Sequence, residues 1–149
     1  MLNMIKPFKQ TVAILACVAV AGFYFTQTST AQVKKGKKQP LTTAQWMSGV
    51  VKPNCGALKK GLDAGPKSDD DWDKLAMYAA ILNESSYVLM ADGRCPDGTW
   101  AKASTKSLRG GSAGVLKAID ARDVDGAKAA FKQLTSSCAG CHKAHKPKK

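Results

Sequence analysis

Cys138-Ala139-Gly140-Cys141-His142 closes a run in which Val124, Ala127, Phe131, Leu134, Cys138 and Cys141 recur at steps of three and four residues. That period predicts one amphipathic helix. Asp123 is its expected cap and Pro147 its expected stop. The five-residue pattern is also the attachment signature of a c-type haem. Three residues apart on a helix, two sulfurs lie on one face, where each can bond a vinyl-derived carbon of the porphyrin. His142 follows the second cysteine directly and can reach the iron as its proximal ligand. The chain's own composition would produce this pattern in roughly one of several hundred such sequences, so chance explains it poorly.

Two other uses of a C-x-x-C pair compete. A tetrahedral zinc site needs four ligands, and only Cys55, Cys95 and the more distant His145 could complete one. A thioredoxin-like redox pair needs a βαβ setting, and the only strand-like run lies near the N-terminus. Haem attachment is the better reading.

Working outward, three more helices precede the motif. Thr42-x-x-Gln45 matches a capping box, and Trp46, Met47, Val50 and Val51 follow at helical spacing. Pro53 should kink this first helix or end its first half, since proline lacks the amide donor an interior turn uses. Gly61 and Gly65-Pro66 then close it. Asp69, Asp70 and Asp71 suit the start of a second helix, whose stripe is Trp72, Leu75, Ala76, Ala79, Leu82, Val88 and Leu89. Residues 92–98 are dense in turn formers. A third helix is expected from about Thr99, carrying Leu108, Val115, Leu116 and Ile119. Gly110, Gly111 and Gly114 should weaken it by about 1 kcal/mol each. Trp46, Trp72 and Trp100 each fall in an opening turn and read as core. Four helices with short links predict an all-α, antiparallel four-helix bundle.

The N-terminus reads differently. Lys6 and Lys9 precede an apolar run from Thr11 to Phe25, and Ser29-Thr30-Ala31 offers a small-x-small cleavage site. That is secretory signal anatomy over residues 1–31; the run is short against the about 20 residues of a membrane span, though an uncleaved anchor stays open. A lipoprotein reading at Cys17 is weaker, because the apolar run continues past it. Residues 32–41 form a lysine-rich, flexible leader, residues 42–146 the helical domain and residues 147–149 a basic tail. Export agrees with haem attachment, which belongs to an oxidising, periplasmic or otherwise extracytoplasmic compartment.

The chain carries 23 Lys and Arg against 11 Asp and Glu, a formal net charge of +12. Nucleic acid is the usual partner for such a balance, but export and the absence of a recognition module exclude it. An anionic membrane surface or an acidic redox protein fits better, and simple solubilisation by the lysines stays open beside them. Membrane contact is expected only through the N-terminal segment or the basic surface.

A c-type motif at the end of a fourth helix resembles the class II cytochromes c, the cytochrome c′ family. The resemblance covers about residues 42–146 and is specific at Cys138 to Lys146. It implies a left-turning four-helix bundle, often a homodimer, with one haem c held inside one end. Family members commonly carry an aromatic and then an arginine three and four residues after the ligand histidine. Here those positions hold His145 and Lys146, so no guanidinium is available at that place. The distal face of the iron divides the family. Some members leave it open behind an apolar residue of the first helix and bind nitric oxide or carbon monoxide. Low-spin relatives supply a methionine there and carry electrons.

In such a bundle the end of the fourth helix lies beside the start of the first. Trp46, Val50 and Val51 are therefore the candidate distal pocket, and Met47 the candidate sixth ligand. The competing role for Met47 is space-filling core. His145 shares His142's helix and cannot approach the opposite haem face, so it is expected at the surface or beside a propionate. Cys55 and Cys95 remain as a candidate disulfide, provided the 92–98 loop folds back along the bundle or Pro53 shortens the first helix. Electron transfer and gas binding are the two functions in contention. A peroxidase would need a distal acid–base residue, and Gln45 and Asn54 are poor candidates, so no enzymatic activity is expected.

Overall fold

In the computed structural model, residues 37–146 are described. The expected signal (1–31), the first half of the leader and the tail (147–149) lie outside the described residues. Within them the chain is helical, with four helices and no strand.

Helix α1 (residues 43–64) joins α-helical Thr43–Trp46, a π-helical turn at Met47–Val51 and α-helical Lys52–Ala64. The capping box forms as expected: the Gln45 amide donates to Thr42 Oγ1 at 3.2 Å, and the Thr42 amide to Gln45 Oε1 at 2.8 Å. Pro53 does not end the helix. The Lys52 amide donates to the Met47 carbonyl, five residues back. The widened turn before Pro53 thus shifts the ladder so that proline enters at the start of a fresh α segment, where its missing donor costs little. Gly61 lies inside the helix rather than closing it. A Cβ there would come within 2.6 Å of Leu75 Cδ2, so glycine permits close approach to the next helix. Gly65, at φ +72°, makes the actual cap and donates to the Gly61 and Leu62 carbonyls.

Helix α2 (Asp69–Met90) starts from a Ser68–Asp71 capping box, with three aspartates in its first turn. It buries Leu75, Ala79, Leu82 and Leu89, and also Ser85 and Ser86. Helix α3 (residues 98–120) joins Gly98–Lys102, a π-helical stretch Ala103–Arg109 and Gly110–Asp120. Asp97 caps it by accepting from the Trp100 amide at 2.9 Å. Helix α4 (Val124–His145) is capped by Asp123 and runs to two residues short of Pro147. Links of a few residues leave each helix packed on its sequence neighbours, and α4 also meets α1. The shared core is Leu58, Leu62, Leu75, Leu82, Val115 and Leu134, with others around them.

The glycines of α3 do more than weaken it. A Cβ on Gly111 would lie 3.0 Å from Leu134 Cβ and 3.1 Å from Leu134 Cα, whereas one on Gly114 would meet only Ala130 Cβ at 3.7 Å. The two positions should therefore respond oppositely to alanine. Gly114→Ala is expected to stabilise by about 0.5–1 kcal/mol, from helix propensity alone. Gly111→Ala gains the same propensity but forces α3 off α4, for a net loss of up to about 2 kcal/mol. Urea denaturation of both variants checks the difference in sign.

The link from α2 to α3 also holds part of the leader. Asp92 and Gly93 both take left-handed backbone, at φ 59° and 72°, tolerable for aspartate and glycine. The Asp92 carboxylate accepts the Lys38 and Gln39 amides at 2.8 and 2.9 Å. Those amide bonds, Gln39's first, with the nearby Arg94 charge, hold its pKa below the usual carboxylate range. Arg94, fully buried, donates to Gln39 Oε1 and to the Leu41 carbonyl at 3.1 and 3.0 Å. Residues 37–41 are therefore anchored, where the sequence suggested a flexible leader: a carboxylate presented by a tight turn gives their amides fixed partners.

Candidate functional site

One end of the four helices forms a half-open cavity of about 570 Å³ with an overwhelmingly apolar lining. Helix α4 contributes Thr135, Cys138, Cys141 and His142, and α1 contributes Ala44, Met47, Ser48, Val51, Lys52 and Cys55. Trp100, Ala103, Ser104 and Leu108 of α3 and Leu89 of α2 complete the wall, with Lys146 just past the end of α4.

The geometry follows from helical spacing. Cys138 and Cys141, three apart on an unbroken α-helix, share a face. Cys138 is half-buried and Cys141 is buried. Burial, then Cys138 and Asp97, pushes the Cys141 thiol up to about 11. Burial, and then Cys55, raises that of Cys138. His142 stands where the cavity meets solvent. Contact with the wall, and secondarily the Lys146 charge, holds its imidazole below the usual histidine range. That favours the neutral ring, the form that ligates metal.

Across the cavity, Met47, Val51 and Cys55 follow at steps of four. The widened turn at 47–51 carries the residue four positions on, rather than three, onto the same face. This is why two expected pocket residues do not line it. Val50 turns aside, with its carbonyl accepting from Asn54 Nδ2 at 2.7 Å. Trp46 packs against the hydrophobic core instead. Both π-helical stretches, in α1 and α3, border the cavity, a placement frequent at functional sites.

Three further expectations meet the structure here. Cys55 and Cys95 are separate thiols. Cys55 lines the cavity, while Cys95 Sγ lies 3.5 Å from the Asp97 carbonyl in the α2–α3 link. Pro53 does not shorten α1, which runs on to Ala64, and the two thiols stand at different places, one on the cavity wall and one in the link. His145 is not a surface residue. It is 2 % exposed, its ring stands edge-on to Trp100 with centroids 5.3 Å apart, and Nε2 is 3.4 Å from Asp97 Oδ1. It continues the α4 stripe one turn beyond Cys141 and pins the end of α4 to the start of α3. Finally, among the described residues no three or more His, Cys, Asp or Glu side chains converge as a metal cage, so the zinc alternative finds no ligand set.

Sequence reasoning missed Cys55, Lys52, Ser104, Leu108, Thr135 and Lys146 as cavity residues. The signal for two of the walls was a spacing of four, 47-51-55 on α1 and 100-104-108 on α3. No known protein family, no curated protein and no solved structure matches the chain.

Proposed function

We propose that this chain is an exported monohaem c-type cytochrome, folded as an antiparallel four-helix bundle, that transfers electrons. The supporting observation is a single cavity lined by Cys138, Cys141 and His142 from one helix and by Met47 from another. Its size lies within the range of cofactor sites, about 300–1,000 Å³, and its apolar lining suits them. The antiparallel arrangement draws support from residue pairings. Gly111 approaches Leu134 while the later Gly114 approaches the earlier Ala130.

When bound, haem c supplies an iron that cycles between ferrous and ferric states. Cys138 and Cys141 would hold the porphyrin through thioether bonds, and the neutral His142 imidazole would ligate its iron. Among the described residues Met47 offers the only thioether lining the cavity, and it would be a second protein ligand to the iron. Val51 and Leu108 exclude water. Lys52 and Lys146, the only charged residues on the wall among the described residues, would attract the carboxylates of the cofactor. The wider basic surface steers an acidic redox partner, and a second copy of the chain is a further candidate partner. No catalytic role is proposed. Gln45 Oε1 accepts from the Thr42 amide and Asn54 Nδ2 donates to the Val50 carbonyl.

The deciding measurement is an optical spectrum of the ferrous, haem-loaded protein with and without carbon monoxide. A six-coordinate, low-spin spectrum indifferent to the gas is expected. Met47→Leu should convert it to one that shifts with carbon monoxide and lower the reduction potential, because thioether ligation raises it. A wild-type spectrum that is five-coordinate and responds to the gas would replace electron transfer with binding of nitric oxide or carbon monoxide.

A further inference from the structure

Cys55 has no part in haem attachment, yet it lines the same cavity as Cys138 and Cys141. It sits on α1, half-buried, and Cys138 is half-buried on α4, so the two thiols reach a common apolar space from different helices. Cys55 and Cys138 face each other across one cavity, and the charge of Cys55 is felt at Cys138. In an oxidising compartment Cys138 has two possible partners.

Helix geometry separates them. Residues three apart on an α-helix hold their Cβ atoms about 5–6 Å apart, but a disulfide requires about 3.5–4.5 Å. Both cysteines lie within the continuous α-helix Val124–His145, so a Cys138–Cys141 bond must distort that helix. A bond between Cys55 and Cys138 joins two different helices across the cavity and leaves the hydrogen-bond ladder of each intact. Cys95 is no competitor, because it lies off the cavity, against the Asp97 carbonyl.

We infer that Cys55 and Cys138 are joined by a disulfide in the oxidised, haem-free chain, a covalent state that withholds Cys138 from haem attachment. The oxidant is a small-molecule disulfide of the glutathione class. The Cys55 thiolate attacks it and releases one glutathione thiol. Cys138 then attacks the Cys55 sulfur of the mixed disulfide and expels the second. Overall two protein thiols become one disulfide and one small-molecule disulfide becomes two thiols, with two electrons and two protons passed on. The bond stands on the cavity alone. Only its consequence for attachment rests on the haem reading.

The test uses the full, haem-free chain, reduced and then equilibrated with oxidised glutathione, alkylated with iodoacetamide and digested with trypsin. Lys132 and Lys143 bracket Cys138 and Cys141 in one peptide. The expected product is that peptide cross-linked to the one carrying Cys55, present also in Cys141→Ser and lost in Cys138→Ser. Tandem mass spectrometry of the wild-type cross-link makes the same assignment without any substitution. Alkylated Cys55 beside a closed Cys138–Cys141 loop, or a Cys55–Cys95 link, would overturn the inference. In a second arm, the oxidised wild type should take up at least about tenfold less covalent haem than the reduced chain, and Cys55→Ser much closer to the same amount in both states. Equal uptake by oxidised and reduced wild type overturns the withholding role. A reduced chain that cross-links on oxidation yet never takes up haem indicts the haem reading and leaves the disulfide standing.

Discussion

Cys138→Ser with Cys141→Ser is expected to abolish haem that survives denaturation. Wild-type protein made in a host that attaches haem c should keep its colour and its haem stain on a denaturing gel, and the double variant should lose both. The reason is chemical. A thioether needs a thiol, and a serine hydroxyl of similar size forms no bond to the vinyl carbon under the same conditions. Each single variant should keep one bond and a reduced yield of attached haem. His142→Ala should behave differently, with both bonds intact but an altered spectrum, since it removes the proposed ligand and not a proposed attachment point. Covalent haem in the double variant, or none in the wild type, would refute the assignment. Helix content should change little, because Cys138 is half-buried and Cys141 lies at the edge of the core, 9 % exposed.

The parts of this protein that sequence reading reached are those with a strict local period or a local partner. The α4 stripe from Val124 to Cys141 and the Thr42–Gln45 box need only spacing and one hydrogen bond to be recognised. Met47 and Val51 were reached by asking which turns of α1 lie near the end of α4, and both line the cavity. Trp46 and Val50 were misjudged because an ordinary α-helix was assumed across 47–51. The π turn before Pro53 depends on how the helix absorbs proline, and the sequence offers no period for it. His145 was expected at the surface or beside a propionate because it shares His142's helix, and burial overturns the surface half of that reading. Its position, four residues after Cys141, continues the buried stripe, with Asp97 close to its ring nitrogen. Cys55 was read through the even cysteine count, which ignores which helix face each thiol occupies. Gly111 was read as a weak point and Gly61 as a helix end, since the neighbours they admit, Leu134 and Leu75, are remote in sequence.

Trp100→Ala should be among the most destabilising single changes in the bundle. The ring is fully buried, its Nε1 donates to the Leu89 carbonyl at 2.8 Å, and its edge contact holds His145. Truncation removes a large apolar volume, at about 3–5 kcal/mol, and strands a buried acceptor at the end of α2. Against a typical stability of about 5–15 kcal/mol, the variant is expected to be marginally folded. Trp100→Phe separates the two contributions. It keeps most of the packing and the cavity wall but leaves Leu89 without its donor, for a loss of about 1–3 kcal/mol. Trp72→Ala provides the contrast: that ring is only partly buried and lies beneath Arg122, 5.3 Å from the guanidinium carbon, so its loss should cost less than that of Trp100. Urea denaturation should rank the variants with Trp100→Ala the least stable. If Trp72→Ala proved equally damaging, the packing of Trp100 between α2 and His145 could not be what ties the end of α4 to the start of α3. Because that tie also sets where His142 stands, Trp100→Phe should leave the haem spectrum closer to wild type than Trp100→Ala does, even where both proteins remain folded.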